Sequence, residues 1–271
     1  MKKAVLVGIN YSNDNSARLN GCIQDTQNVR DILISKFGYK PSDITMINDF
    51  TETKPTKDNI IRACFEMIQG QANNDVDQFF FQYSGHGAQV PDRDRDESDN
   101  KDEVIVPIDY KTEGLISDDL LFNLLVKPLK SHQKLTCLID ACNSGTMLDL
   151  KYNIKAMTKP ISGKISKPYD HSEWNARLGI DIGTRDSPKG NVLMISGCQD
   201  HEQSNDVSIG KTYQGMMTYC FLDCLRSNDC KIKLKYLVKD INCLLDLYGF
   251  KNQNSQLSAN NYPNLEEIFE P

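Results

Sequence analysis

The sequence predicts an α/β fold in which a mainly parallel central sheet is covered by helices on both faces. Three observations carry that reading. Short apolar runs alternate with segments of helical period along most of the 271 residues. The first run, residues 4–9, is apolar throughout, as in strands buried on both faces of a parallel sheet. Two turns rich in reactive side chains, around residue 86 and residue 142, sit directly after such runs. Ligands of open parallel sheets bind beyond the carboxyl ends of the strands.

The elements follow in order. Residues 4–9 form the first strand, and Val29, Ile32, Leu33 and Phe37 mark a helix over 21–37. Residues 44–47 form a second strand. Thr56 is placed to cap a helix whose stripe is Ile60, Ile61, Cys64, Phe65 and Ile68. Residues 79–83 make a third strand that ends at Ser84-Gly85-His86-Gly87, followed by an acidic loop and an apolar run over 104–108. Ser117 caps a helix holding Leu120, Leu121, Leu124 and Leu125, with Pro128 near its end. Residues 135–139 are a fourth strand, ending at Asp140-Ala141-Cys142. The stretch 151–190, rich in Lys, Ser, Gly and Pro with little periodicity, reads as a long exposed connection. A strand over 192–196, helices over 214–226 and 234–248 and a last strand over 256–258 complete the chain. The division is a larger part (1–150), the connection (151–190) and a smaller part (191–271) that finishes the same sheet.

Composition excludes several function classes. A formal net charge of −6 argues against a nucleic-acid partner or an anionic membrane surface. No stretch approaches the roughly 18 apolar residues of a membrane span, and the apolar run after Lys3 is too short for a signal peptide. Nine scattered cysteines, without C-x-x-C spacing, argue against a metal finger or a disulfide framework and for a reducing, cytoplasmic compartment. Most then serve as small buried hydrophobes, and the question becomes which one does not.

A thiol near its ordinary pKa of about 8.5 is only a few per cent thiolate at neutral pH, so a catalytic cysteine needs an activator. His86 lies 56 residues before Cys142, both at predicted strand ends. Caspases place a histidine about 50 residues upstream of a Q-A-C-x-G cysteine; here the cysteine sits in Asp140-Ala141-Cys142-Asn143-Ser144-Gly145. Cys142 is therefore the candidate nucleophile and His86 its acid–base partner. Glycines at 85 and 87 permit close backbone approach to a substrate carbonyl, and the amides of Gly87 and Cys142 are candidates for an oxyanion hole.

Tyr83-Ser84-Gly85-His86-Gly87 and Asp140-x-Cys142-x-Ser144-Gly145-Thr146 resemble the catalytic motifs of metacaspases, the caspase-like peptidases of protists, plants and fungi. The resemblance continues through Gly8-Ile9-Asn10-Tyr11, Leu19-Asn20-Gly21-Cys22-x-x-Asp25, Val126-Lys127-Pro128-Leu129, Ser196-Gly197 and Gln256-Leu257-Ser258, and so covers nearly the whole chain. It implies a caspase-like sandwich, a type I-like arrangement lacking the prodomain, and a monomer. One departure stands out: the family usually has Ser-Cys-His-Ser around the nucleophile, where this chain has Ala141-Cys142-Asn143-Ser144.

The resemblance further implies cleavage of protein or peptide substrates after Arg or Lys, with pocket residues at Cys22, Asp25, Ser84 and Asp140. The physics agrees. Each of two carboxylates attracts a cation by about 4 kcal/mol at about 4 Å and an effective dielectric of about 20, before desolvation. The same pair repels a substrate aspartate. On residues alone, Asp25 also reads as an exposed helix residue and Asp140 as a turn former.

Residues 92–103 hold seven acids against three bases. Asp92, Asp94, Asp96 and Glu103 almost spell an EF-hand, but Glu97 stands where that loop requires glycine. The resemblance instead implies a calcium site at Asp102, Asp118, Asp119 and Asp149. Against it stand two plainer readings, a solvated acidic face and first-turn acids that complement a helix dipole. In the connection, Lys155, Lys159, Lys164, Lys167, Arg177, Arg185 and Lys189 are candidate self-cleavage positions, or simply linker residues. A reading from a different class also remains: a catalytically weak scaffold that binds basic peptides or partner proteins.

Overall fold

The computed structural model describes residues 1–70, 75–91, 101–157, 177–183, 188–197, 206–209 and 212–271. Of the features named above, most of the acidic loop (92–100) and the basic positions Lys159, Lys164, Lys167 and Arg185 lie outside the described residues. In chain order the elements are β1 (Lys2–Gly8), α1 (Cys22–Phe37), β2 (Ile44–Asn48), α2 (Lys57–Gln69), β3 (Gln78–Ser84), β4 (Gly87–Pro91) and β5 (Lys101–Ile105). Then come α3 (Tyr110–Glu113), β6 (Ile116–Ser117), α4 (Asp118–Leu121), β7 (Lys134–Asp140), β8 (Tyr152–Met157), β9 (Arg177–Ile182) and β10 (Asn191–Ser196). The last are β11 (Asp206–Ile209), β12 (Thr212–Gly215), α5 (Met216–Ser227), α6 (Leu234–Leu247) and β13 (Gln256–Ala259).

Eight strands form one sheet in the order β2-β1-β3-β7-β10-β13-β8-β9. The first five run parallel, and β13, β8 and β9 are added antiparallel. Period-2 alternation sorts the strand side chains between two cores. Ala4, Leu6, Phe80, Leu138 and Ile195 face the layer built from α1, α5 and α6, together with Val29, Leu222 and Ile241. Val5, Val7, Phe79, Phe81, Cys137 and Met194 face the other layer, with Ile60 and Cys64 of α2 and Leu121 of α4. This is the predicted caspase-like α/β sandwich.

Local chemistry sets the element ends. Thr56 accepts a hydrogen bond from the Asn59 amide at the start of α2, and Ser117 accepts one from Leu120 at the start of α4. Gly38, at φ 72°, closes α1 in the left-handed conformation that glycine tolerates best. The helix predicted after Ser117 differs from expectation. After Leu121 it widens into a π turn over Phe122–Val126, which keeps Leu125 and Val126 buried before Pro128.

The stretch 151–190 contributes more than a connection. Within it β8 pairs with β13, and β9 pairs with β8, extending the sheet by two strands. Both strands are short and mix Asn153, Lys155, Gly179 and Asp181 among their apolar residues, and antiparallel strands at this end of the sheet need only one buried face. The helix expected from residue 214 begins at Met216, because Thr212–Gly215 is paired in a hairpin with β11. A separate small sheet, β4-β5-β6, follows the end of β3 and includes Asp102 and Glu103.

Candidate active site

The parallel pairing of β3 with β7 sets Ser84 opposite Asp140. His86 and Cys142 each lie two residues beyond that pair, so one register brings both to the same sheet end. The turns then touch: a Cβ at Gly87 would fall 2.1 Å from the Cys142 carbonyl oxygen, closer than any side chain can come. Glycine at 87 is thus required by the nucleophile's backbone, and the two candidate oxyanion-hole residues are packed against each other.

Among the eight described cysteines, Cys142 alone is part-exposed; the other seven are buried. Burial pushes the Cys64 and Cys243 thiols up to about 12 and raises Cys137, Cys220, Cys224 and Cys230. These are inert packing residues by the thiolate criterion. The nucleophile's turn is pinned by Ser144 Oγ, which donates to the Ala141 carbonyl at 2.8 Å, and by Gln256 Nε2 of β13, which donates to the Gly145 carbonyl. Asn143 holds φ 51°. Asn and His are both enriched in the left-handed region. The departure from the family's usual residue therefore preserves the backbone that presents Cys142.

His86 is held on several sides. Its Nε2 lies 2.7 Å from the Ala17 carbonyl, which can only accept, so Nε2 carries the proton and Nδ1 is the nitrogen left for the thiol. The Tyr11 ring lies against the imidazole with centroids 4.8 Å apart. The hydroxyls of Tyr11 and Tyr83 accept and donate at the His86 amide and carbonyl, at 3.1 and 2.8 Å. Ala17 and the tyrosine hydroxyls were missed in the sequence; a backbone carbonyl carries no sequence signature.

The four pocket candidates converge beside this pair. Gly8, at the end of β1, would place a Cβ 2.5 Å from the Cys22 carbonyl oxygen, so its bareness admits the first turn of α1, which carries Cys22 and Asp25. Ser84 pairs with Gly8 on one side and Asp140 on the other. Asp25 and Asp140 are both buried, 1% and 5% exposed, which settles the ambiguity over Asp25 against an exposed helix position. Gly215 joins them. Its amide donates to both oxygens of Asp25, at 3.0 and 3.1 Å. A Cβ there would meet Asp25 Oδ2 at 2.7 Å and Asp140 Oδ2 at 2.3 Å, so the two carboxylates lie no more than about 5 Å apart. Thr218, in the first turn of α5, donates to Asp140 Oδ2 from its amide at 2.9 Å and its hydroxyl at 2.7 Å. Gly215 and Thr218 thus join the four candidates, and no local pattern in the sequence marks them.

The calcium candidates lie on or near the small sheet. Asp118 is buried and accepts from the Glu103 and Asp119 amides, each at 2.7 Å. Burial, with the charges of Glu103 and Asp102 nearby, pushes its carboxyl up to about 8. Thr146 Oγ1 donates to Glu103 Oε2 at 2.5 Å, and the Asp149 amide donates to the Thr146 carbonyl at 2.6 Å with Asp149 at φ 44°. Among the described residues, no three His, Cys, Asp or Glu side chains converge tightly enough to form a ready-made metal cage. The donor chemistry suits a hard cation; the arrangement as it stands does not complete the coordination.

Comparison with solved structures agrees with the fold. A crystal structure of a Geobacter sulfurreducens protein superposes with a TM-score of 0.65 at 24% identity, covering 98% of this chain and 97% of its own. Caspase-1 from Spodoptera frugiperda superposes with a TM-score of 0.56 at 11% identity, over 95% of this chain and 85% of its own. A sheet of this topology with histidine and cysteine turns at adjacent strand ends is a caspase-like fold. The family described as metacaspase, peptidase C14 domain, matches residues 2–151. Metacaspase-1 of Cryptococcus neoformans is 36% identical over 95% of this chain, and metacaspase-1A of Neurospora crassa is 33% identical over 99%. The chain belongs to the metacaspase family. It spans 62% and 64% of the length of those two relatives. Among the described residues no helix is long and apolar enough to cross a membrane.

Proposed function

We propose that the chain is a cysteine endopeptidase that cleaves after Arg or Lys, stimulated by calcium and able to cut itself within 151–190. The observation that carries the specificity is the pair of buried carboxylates, Asp25 and Asp140, on either side of Gly215 beside the dyad. Two buried carboxylates this close repel each other, and a substrate guanidinium or ammonium relieves both.

The chemistry follows from the geometry. His86 Nδ1 takes the Cys142 proton, and the thiolate attacks the substrate carbonyl carbon. The amides of Gly87 and Cys142 hold the developing oxyanion. His86 gives its proton to the leaving amine, and water then hydrolyses the thioester and restores the thiol. Throughout, the Ala17 carbonyl holds the Nε2 proton and stabilises the imidazolium.

The test is a panel of fluorogenic peptides ending in Arg, Lys, Asp or Asn, with and without calcium. Turnover confined to Arg and Lys is expected. Turnover of the Asp or Asn peptides would overturn the specificity, and no turnover of any peptide would favour the scaffold reading.

Calcium stimulation is supported by the link between the acidic sheet and the nucleophile's turn. Thr146, four residues after Cys142, is bonded to Glu103, whose amide is bonded to Asp118. A cation drawn to Asp102, Asp118, Asp119 and Asp149 would act on that turn through this chain of contacts. Because the Asp118 carboxyl is raised to about 8, proton and calcium compete below that pH. The calcium concentration for half-maximal activity is expected to fall as pH rises from about 6 to about 8.5. Equal activity in chelator and in millimolar calcium would sink the idea.

Self-cleavage is expected away from Lys155. That residue lies inside β8, paired with Gln256 on one side and Gly179 on the other, so its backbone is not presented to a cleft. Mass spectrometry of wild type and Cys142→Ala after incubation with calcium reads the positions. Fragments ending at Lys155, or any cut persisting in the mutant, would contradict this.

A further inference from the structure

We propose that Tyr11 is a positioning residue of the dyad, holding His86 in register with Cys142 through its hydroxyl, its ring and its reversed backbone. The proposal rests on the dyad chemistry above but not on the Arg/Lys preference.

Tyr11 is 1% exposed and sits at φ 50°. A bulky residue there is a true outlier, and such strain persists only where surrounding structure holds it. The reversal has a visible consequence. The Asp14 amide donates to the Tyr11 carbonyl at 2.9 Å, Ala17 N donates to the Asp14 carbonyl at 3.1 Å, and the chain returns to place the Ala17 carbonyl on His86 Nε2. Asp14, accepting from Lys111 at 2.7 Å and the Tyr110 hydroxyl at 3.1 Å, fixes the far side of that loop on α3.

The hydroxyl does a second job. Each phenol has one proton. That of Tyr11 goes to the Val106 carbonyl at 2.6 Å, leaving its oxygen to accept the His86 amide at 3.1 Å. That of Tyr83 goes to the His86 carbonyl at 2.8 Å, and its oxygen accepts from the Val106 amide at 3.2 Å. The two phenol oxygens lie 3.2 Å apart. Together they close a ring of hydrogen bonds between the His86 and Val106 peptides, so both polar backbone groups of the catalytic histidine are tied down. Gly85 is bare for the same reason: a Cβ there would meet the Tyr83 hydroxyl at 2.6 Å and that of Tyr11 at 3.2 Å. The Tyr11 ring meanwhile flanks the imidazole. One side chain thus orients the peptide and the ring of His86, and the loop that starts at its backbone turn carries the Ala17 carbonyl that sets the tautomer.

Tyr11→Phe tests the hydroxyl with the ring retained. Tyr83→Phe is the companion variant. Tyr39→Phe is the control, since Tyr39 is also buried and its hydroxyl has no partner among the described residues. Two quantities are read: kcat and KM on an arginyl fluorogenic peptide, and the pH profile of Cys142 alkylation by iodoacetamide. The alkylation profile reports the thiolate–imidazolium pair and needs no substrate, so it remains informative if the peptide specificity is wrong. Tyr11→Phe is expected to lower kcat about tenfold or more with KM within about twofold. It should also move the alkylation midpoint up by about half a pH unit or more, with Tyr39→Phe at wild-type values. A folded Tyr11→Phe with an unshifted alkylation midpoint overturns the proposal, as does an equal effect in Tyr39→Phe. If Tyr11→Phe does not fold, a folded Tyr83→Phe with wild-type kcat and midpoint overturns it instead.

Discussion

Replacing Cys142 with alanine is expected to lower peptide turnover by about 10⁴-fold or more while leaving the thermal midpoint close to wild type. Removing the nucleophile of a catalytic unit costs nearly the whole advantage of that unit, and only substrate binding and the oxyanion hole are left. The fold should tolerate the change. Cys142 is part-exposed, and the turn is secured by neighbours that the substitution does not touch: Ser144 on Ala141, Gln256 on Gly145 and Thr146 on Glu103. None of the seven buried thiols can substitute, because burial either raises their pKa or keeps them from solvent. Serine at 142 is expected to be nearly as inactive, since an alkoxide needs a far stronger base than an imidazole paired to a backbone carbonyl. Residual activity above about one per cent in Cys142→Ala would mean another nucleophile and would undo the dyad assignment.

The turns bearing His86 and Cys142 were legible for a physical reason. Strand-ending runs over residues 79–83 and 135–139 are short and mostly apolar, broken only by Gln82 and Thr136, and lead into glycine-bearing turns, and a parallel sheet puts such ends together. The offset between Ser84 and Asp140 is the offset between His86 and Cys142, so a single register carries both. What escaped reading lacks local periodicity or a side-chain signal. β8 and β9 carry Asn153, Lys155, Gly179 and Asp181 on an outer part of the sheet, where one buried face suffices. The carbonyl of Ala17 has no letter in the sequence, and the left-handed turn at Tyr11 that delivers it contradicts the preferences of that residue. Asn143 shows the reverse case. It departs from the family's usual motif, yet its left-handed φ of 51° is one that asparagine supports.

Asp140→Asn is expected to lower kcat/KM on arginyl and lysyl peptides by about 10²–10³-fold, chiefly through binding. Cutting one partner from a buried, hydrogen-bonded charge pair costs about 2–5 kcal/mol, much of it from the charge left without its counter-ion. Here the substrate cation loses one of two carboxylates that lie within about 5 Å of each other around Gly215. Asparagine retains an oxygen that can accept from the Thr218 amide and hydroxyl, so the start of α5 should stay in place. The carboxylate itself is stabilised by that helix start, where unpaired amides favour negative charge. Gly215→Ala separates charge from shape. Both acids remain, but the added Cβ would enter at 2.3 Å from Asp140 and 2.7 Å from Asp25, forcing the pair apart. A similar loss on Arg and Lys peptides is expected, with the alkylation rate of Cys142 unchanged because the dyad is untouched. Wild-type kcat/KM on arginyl peptides in Asp140→Asn would show that the cation is held elsewhere. Loss of alkylation in parallel with turnover would instead mean that the substitution had displaced the adjoining nucleophile turn, two residues from Asp140.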